Sequence, residues 1–221
     1  MDFTHILILS IIQGITEFLP ISSQSHLILS SYLLGLKDQG LEFDIALHFG
    51  SLIAILIYYR KEIRSLFSFS DEGLNYLRLI IIGSLPLPVI GLLFIDIVSQ
   101  NMRSVLSIAS MTLLFGIILY LADVRKKEVV TKFSNISVYT IIFIGLMQTL
   151  AIMPGVSRSG IVITAALLAN FSREDSIKIA FLLSIPAIFM ATAYQSMQLY
   201  ADSNTGILDE HLLGMFLSFI F

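Results

Sequence analysis

The chain is 221 residues long, 56% hydrophobic and only 13% charged, with a net charge of -3 and a mean hydropathy of +0.88. So few polar side chains cannot cover a soluble domain of this size, which excludes a water-soluble enzyme or binding module and implies a multi-spanning membrane protein. The absence of cysteine excludes disulfides, thiol metal sites and covalent haem attachment, and basic residues scattered through short loops argue against nucleic acid as a partner.

From the N-terminus, MDFTHILILS places no Lys or Arg ahead of its apolar run, so no cleaved signal peptide is expected. The apolar arm that follows is interrupted at positions 13–26 by QGITEFLPISSQSH. Beyond Pro20 the arm from Ser25 to Leu36 is about 12 residues, ~18 Å as a helix against a hydrocarbon core of ~30 Å, and cannot cross alone. Residues 4–34 therefore form one kinked span or a re-entrant hairpin turning between Pro20 and Ser23. Runs of spanning length follow at 43–59, 79–98, 104–122, 136–153 and 177–200. The final stretch, HLLGMFLSFIF, begins a span but runs for about ten residues, half of a crossing, so a shortened C-terminus is expected.

Set against itself at an offset of 134 residues, the chain aligns PISSQSHLI (20–28) with PGVSRSGIV (154–162). Pro20 meets Pro154, Ser23 meets Ser157 and Ser25 meets Ser159, and the flanking runs agree. Charge sets the topology. Ten of the 13 Lys and Arg (Arg60, Lys61, Arg64, Arg78, Arg125, Lys126, Lys127, Lys132, Arg173, Lys178) fall in three loops, which the positive-inside rule places in the cytoplasm. For loops 125–132 and 173–178 to share a side, the segment between them must enter and leave on that side. Three full spans separate it from the first hairpin, and an odd number inverts the second unit. The expected architecture is all-α and polytopic, an inverted-topology repeat with two re-entrant helical hairpins meeting near mid-membrane. Repeat 1 covers 1–98 with its hairpin at 4–35, and repeat 2 covers 136–221 with its hairpin at 136–170, in a single membrane domain.

An acid inside such a hairpin needs water, a cation or a partner, so function is the leading reading of Glu17. Gln13 stands one turn earlier, at i, i+4, on the same face. Ser22 and Ser23 follow the proline where a hydroxyl caps a new helix, and the unpaired amides of a first turn attract anions. The second tip repeats the design: Pro154 and Gly155 break the arm, Ser157 caps, and Arg158 adds a guanidinium. Two such helix N-termini with one arginine make a phosphate or carboxylate site. A purely structural Glu17–Arg158 ion pair and back-bonding serines are the blander readings. His26, three residues after Ser23, suits a proton shuttle, with packing as its alternative. His48, in FDIALHFGS, has no polar company in sequence and reads more simply as packing.

The stretch QGITEFLPISSQSH (Gln13 to His26) resembles the (E/Q)xxxE-FLP-SS-x-x-H segment of the bacterial undecaprenyl-pyrophosphate phosphatases, also called bacitracin-resistance proteins. PGVSRSG (Pro154 to Gly160) resembles that family's PGxSRS segment, and FDIALHFGSLIAIL and SREDSIKIAFLLSIPAI resemble its other marked stretches, so the likeness covers nearly the whole chain. The resemblance implies a divalent-metal-dependent enzyme of the bacterial cytoplasmic (inner) membrane that removes the terminal phosphate of a C55 polyprenyl diphosphate, regenerating the carrier lipid of cell-wall synthesis. On that reading Glu17 with Gln13 holds Mg2+ or Ca2+, and Arg158 neutralises the transferring group. Ser23 is then the nucleophile and His26 its proton partner, with an activated water as the alternative attacker. Ser22, Gln24, Ser25, Gly155, Ser157 and Ser159 complete the expected anion-binding set. The expected partners are the polyprenyl diphosphate, membrane lipids and, as an option the sequence does not decide, a second copy in a homodimer. This chain departs from the family where many relatives read SSTGH or SSSGH and it has SSQSH, where Gln13 replaces a carboxylate, and where Val162 stands in place of a usual Thr. A carrier or flippase of an anionic lipid or solute is the rival reading, since opposed broken helices also serve transporters.

Overall fold

The computed structural model describes residues 1–35, 39–67, 70–102, 104–125, 136–201 and 209–221. These residues form α1 (Phe3–Thr16), α2 (Ser23–Leu33), α3 (Leu41–Tyr58), α4 (Arg60–Leu66), α5 (Asp71–Ser84), α6 (Pro86–Asn101) and α7 (Val105–Val124). After them come α8 (Val138–Gln148), a 3-10 turn (Thr149–Ile152), α9 (Arg158–Leu168), α10 (Arg173–Ala201) and α11 (Asp209–Ile220). Short polar side chains fix where several of them begin, because a first turn leaves amides without partners. Asp2 accepts from the His5 amide at 2.8 Å, and Ser70, Ser104, Ser137 and Ser157 accept from the amides of Gly73, Ser107, Thr140 and Gly160, each at 3.1 Å.

Among the described residues three helices are long and apolar enough to cross a membrane: Gly73–Phe94, where α5 runs through Leu85 into α6, Val105–Val124, and Arg173–Tyr194. α3 and α4 make a fourth if they are one broken span, bent by 74°. The chain is a multi-pass membrane protein. The span expected at 79–98 begins earlier, at Gly73, because Ser70 caps the helix and Arg78 is carried on its exposed side. Among the basic residues that oriented the loops, Lys126, Lys127 and Lys132 lie outside the described residues.

α1 and α2 are too short to cross singly and pack against each other, returning to the end where they start. His5, near the start of α1, lies 3.4 Å from Ser31, near the end of α2. Ser31 donates to Gln39 at 2.8 Å, and Gln39 donates to Asp44 in the first turn of α3 at 2.7 Å. α8 and α9 behave alike. Just beyond α9, Arg173 donates to both oxygens of Asp123, at 2.6 and 2.7 Å, which ties the start of α10 to the end of α7.

Each hairpin has its own apolar core. Ile6, Leu9 and Leu27 of the first pack with Phe43 and Leu47 of α3. Ile141, Ile144, Ile161, Val162 and Ala165 of the second pack with Ile179 and Leu183 of α10 and Leu79 of α5. A third cluster, Leu52, Ile55 and Tyr59 with Ile188, joins α3 to α10. Glycine lets α5 and α8 touch backbone to backbone, as small residues do between membrane helices. A Cβ placed on Gly145 would land on the carbonyl oxygen of Gly83. Gly145→Val therefore has no flexible neighbour to push aside, and is expected to destabilise the protein by about 1–3 kcal/mol. The check is a lowered thermal unfolding midpoint in detergent; an unchanged midpoint would show that the two helices do not meet there.

Candidate active site

Two chain breaks build the site. The first follows α1: Glu17 to Ile21 leave the helix, Pro20 prevents its continuation, and Ser22 takes a left-handed conformation (φ 64°) before α2 starts at Ser23. Such a φ is uncommon for a residue bearing a Cβ and is the kind of strain found at functional turns. The second follows α8: the 3-10 turn, Pro154 and Gly155 (φ 97°) lead to Ser157, the cap of α9. A Cβ at Gly155 would collide with the carbonyl oxygen of Ile108 on α7, so this turn requires glycine for space as well as for φ.

The two tips interlock. The Leu19 carbonyl, turned out of α1 by the break, accepts from Ser159 Oγ at 2.9 Å and from Ser157 Oγ at 3.5 Å. Glu17, only 6% exposed, is the centre of the contact. Its Oε1 accepts from Arg158 Nη2 at 2.6 Å, across 141 residues of sequence. Its Oε2 accepts from Ser23 Oγ at 2.5 Å and from Gln13 Nε2 at 2.9 Å. Gln13 is fully buried and also reaches Ser51 Oγ on α3 at 3.3 Å. Four buried residues keep side-chain atoms without a hydrogen-bond partner among the described residues: Arg158 at Nη1 and Gln13 at Oε1 beside Glu17, and, elsewhere in the chain, Gln148 at both amide atoms and Ser176 at its hydroxyl. A donor and an acceptor left open beside a carboxylate are where a ligand is to be looked for.

Gln13, Glu17, Ser23 and Arg158 are thus brought into direct contact. Ser157 and Ser159 are engaged with Leu19 of the opposite tip, and Ser157 caps as expected. Two expectations need correction. Ser22 occupies the cap position of α2 but does not cap it; its left-handed backbone carries the hydroxyl instead to Ser25 Oγ, at 2.9 Å, so the first-turn amides of α2 keep no side-chain partner from Ser22. His26 makes no hydrogen bond to Ser23, whose hydroxyl donates to Glu17. Its Nδ1 donates to the Ser22 carbonyl at 2.8 Å, which also accepts the His26 amide at 3.3 Å. Gln24, on the same first turn, is half-buried.

Sequence reasoning missed two residues of α3. His48 holds its Nδ1 on the Asp44 carbonyl at 2.7 Å and brings Nε2 within 3.3 Å of Glu17 Oε2, and Ser51 receives Gln13. The available signal was the i, i+3 spacing of His48 and Ser51 on one face of an apolar helix.

No three His, Cys, Asp or Glu side chains gather as a metal cage among the described residues. The donor set that exists, one carboxylate and the open Gln13 oxygen, fits a hard cation that takes most of its shell from phosphate oxygens and water, as Mg2+ commonly does.

Fold and site define a class: a membrane protein that joins an acid, a serine hydroxyl and a guanidinium where two broken helices meet, an arrangement suited to an anionic group. The family model described as Bacitracin resistance protein BacA matches residues 6–221, and the chain belongs to that family. It is 42% identical over 212 residues to a Saccharophagus degradans protein named Undecaprenyl-diphosphatase, covering 92% of this chain and 80% of that one. It is 40% identical over 231 residues to Undecaprenyl-diphosphatase 1 of Pseudoalteromonas translucida, with 100% and 86% covered. To the Undecaprenyl-diphosphatase of Campylobacter concisus it is 41% identical over 232 residues, with 99% and 85% covered.

Ser159→Ala would strip the Leu19 carbonyl of its shorter side-chain donor in a water-poor interior. A loss of about 1–3 kcal/mol is expected, read as a lower unfolding midpoint in detergent, with Ser159→Thr retaining most of the wild-type value.

Proposed function

We propose that this chain hydrolyses undecaprenyl diphosphate to undecaprenyl phosphate and inorganic phosphate, in the bacterial cytoplasmic membrane, and so returns the carrier lipid to cell-wall synthesis. The observation that carries the reading is the shared carboxylate: Glu17 accepts at once from Ser23 of its own tip and from Arg158 of the other. An acid that only glued helices would have no need of a serine hydroxyl at 2.5 Å or of a guanidinium with one nitrogen still open. The rival carrier reading finds no support in the relatives named above, each of which is called a diphosphatase.

The terminal phosphoryl group would be received by Arg158 Nη1 and by the first-turn amides of α2, whose positive end favours an anion. Ser23 Oγ attacks the terminal phosphorus while its proton passes to Glu17 Oε2. The bond from that phosphorus to the bridging oxygen breaks, and its electron pair leaves with undecaprenyl phosphate. Water then attacks the phosphoserine, phosphate departs, and the serine oxygen recovers a proton. His26, with Nδ1 committed to Ser22, offers Nε2 for proton exchange at the water. A divalent cation, Mg2+ or Ca2+, held by the Glu17 carboxylate and the Gln13 oxygen would neutralise charge on the two phosphates when bound. The opposed hairpins complete the proposal. α3, the α5–α6 span and α7 lie between them in sequence, and that odd number sets repeat 2 upside down relative to repeat 1, so both tips reach the middle of the membrane from opposite faces.

The test is phosphate release from undecaprenyl diphosphate by purified protein in detergent, with and without EDTA. Ser23→Ala and Glu17→Gln are expected to lower kcat by roughly three orders of magnitude, as loss of a nucleophile or its base does. Arg158→Lys keeps the charge but not the fork, and is expected to lower kcat about a hundredfold. Full activity in Ser23→Ala would move the attack to water. A wild type that binds the lipid diphosphate without releasing phosphate would end the hydrolase reading.

A further inference from the structure

Gln13 is fully buried, yet only one end of its amide is satisfied. Nε2 donates to Glu17 Oε2 at 2.9 Å and to Ser51 Oγ on α3 at 3.3 Å, so both of its hydrogens are spent and Oε1 keeps no partner among the described residues. A serine hydroxyl can face an amide with its hydrogen or with a lone pair, and the other neighbours of Ser51 decide which. Ser51 Oγ reaches the Leu47 carbonyl at 3.2 Å and Ser218 Oγ, on α11, at 3.1 Å, while Ser218 donates to the same carbonyl at 2.8 Å. A carbonyl only accepts, so the donors run one way, from the Gln13 amide through Ser51 to Leu47, directly or by way of Ser218. A lone pair of Ser51 is therefore what Gln13 meets. The reversed amide would set its oxygen against that lone pair and against the Glu17 carboxylate.

α11 is built into this side of the site. Gly14 adjoins Gln13 and Gly50 adjoins Ser51, and a Cβ on either glycine would strike the backbone of α11, at Phe221 and at Met215. Through Ser218 that helix reaches the amide beside Glu17. We propose that Ser51, oriented by Ser218, is a positioning residue that locks the Gln13 amide with its oxygen toward the ligand, so that α11 governs how tightly the site holds a divalent cation. The proposal rests on the cation placed above at Glu17 and Gln13, and adds the residues that aim the second of its two protein ligands. Partners one bond behind a metal ligand commonly change affinity by roughly ten- to hundredfold when removed.

The test is Mn2+ binding to the purified full chain in detergent, read from the loss of the free-ion EPR signal. Ser51→Ala is expected to raise the Mn2+ Kd about tenfold, and Ser218→Ala to raise it by a smaller factor. A carboxylate has two equivalent oxygens and no wrong way round, so in a Gln13→Glu background Ser51→Ala is expected to leave the Kd unchanged. Ser10, which donates to the Gly214 carbonyl of α11 at 3.3 Å, supplies the control: Ser10→Ala loosens the same helix without removing a partner of Gln13, and is expected to bind as the wild type does. Wild-type affinity in Ser51→Ala or in Ser218→Ala would overturn the proposal. So would an equal loss in Ser10→Ala, or an equal effect of Ser51→Ala in the Gln13→Glu background, since the damage would then not pass through the amide. The expected pattern in a protein that released no phosphate would support the proposal and end only the hydrolase reading. If the wild type bound no Mn2+, the cation reading would fail by itself, and the amide would be judged by NMR of isotope-labelled glutamine side chains, with the Gln13 signals assigned by their absence in Gln13→Glu. Both Gln13 amide protons should exchange slowly in the wild type and one of them quickly in Ser51→Ala; two unchanged protons in that variant would overturn the proposal.

Discussion

A carboxylate enclosed within a membrane must be neutralised where it stands, and the contact between Glu17 and Arg158 is the constraint on which the rest of this structure depends. The cation cannot come from the same hairpin, because no Lys or Arg lies between Met1 and Leu36. It comes from 141 residues away, and only if the second hairpin presents its tip to the first. Buried ion pairs of this kind add little net stability, since desolvation offsets most of the attraction, yet removing one partner strands the other at a cost of several kcal/mol. The pair therefore acts less as glue than as a condition on assembly: either both tips are seated, or neither charge is tolerable.

Backbone groups impose the same condition from another side. Breaking a helix inside a membrane frees amides and carbonyls that water cannot reach. The Leu19 carbonyl exposed by the first break is met by serines of the second, and the amide of Gly160 in the second is met by Ser157. At the site, one nitrogen of Arg158 and one oxygen of Gln13 stay unmet, and among the described residues the Gln148 amide and the Ser176 hydroxyl do too. The donor and the acceptor left open beside Glu17 are what a ligand bound between the tips would complete.

What the sequence disclosed and what it hid follow from the range over which each rule operates. Gln13 and Glu17 are one helical turn apart, so their contact at 2.9 Å was legible from spacing alone. The Ser157 cap was legible because the backbone before α9 is extended there. Ser22 looked equivalent, but capping depends on φ, and the left-handed turn that Pro20 leads into has no signature in residue type. His26 was read one turn from Ser23, which is correct, yet the i-4 carbonyl competed for its ring and won. His48 and Ser51 belong to the site only through the packing of α3 against α1, and no local pattern carries tertiary register. The charge on Arg158 and its likeness in position to the first tip made the meeting of the two breaks foreseeable; which serine would bond which carbonyl was not.

The bend between α3 and α4 has a consequence for where chemistry occurs. α4 carries Arg60, Lys61 and Arg64 on exposed positions and turns away from α3 by 74°, a disposition that suits a basic helix lying at a membrane surface. From that anchor, eleven residues of helix lead back from Tyr59 to His48, about 16 Å, roughly half the hydrocarbon thickness. With α4 at the surface, the acid beside His48 would sit about that far below it. A lipid whose charged end normally floats at the water boundary has to be drawn down by that length before it is touched, or the surrounding leaflet has to thin to deliver it, so the thickness of the host bilayer itself becomes a determinant of turnover.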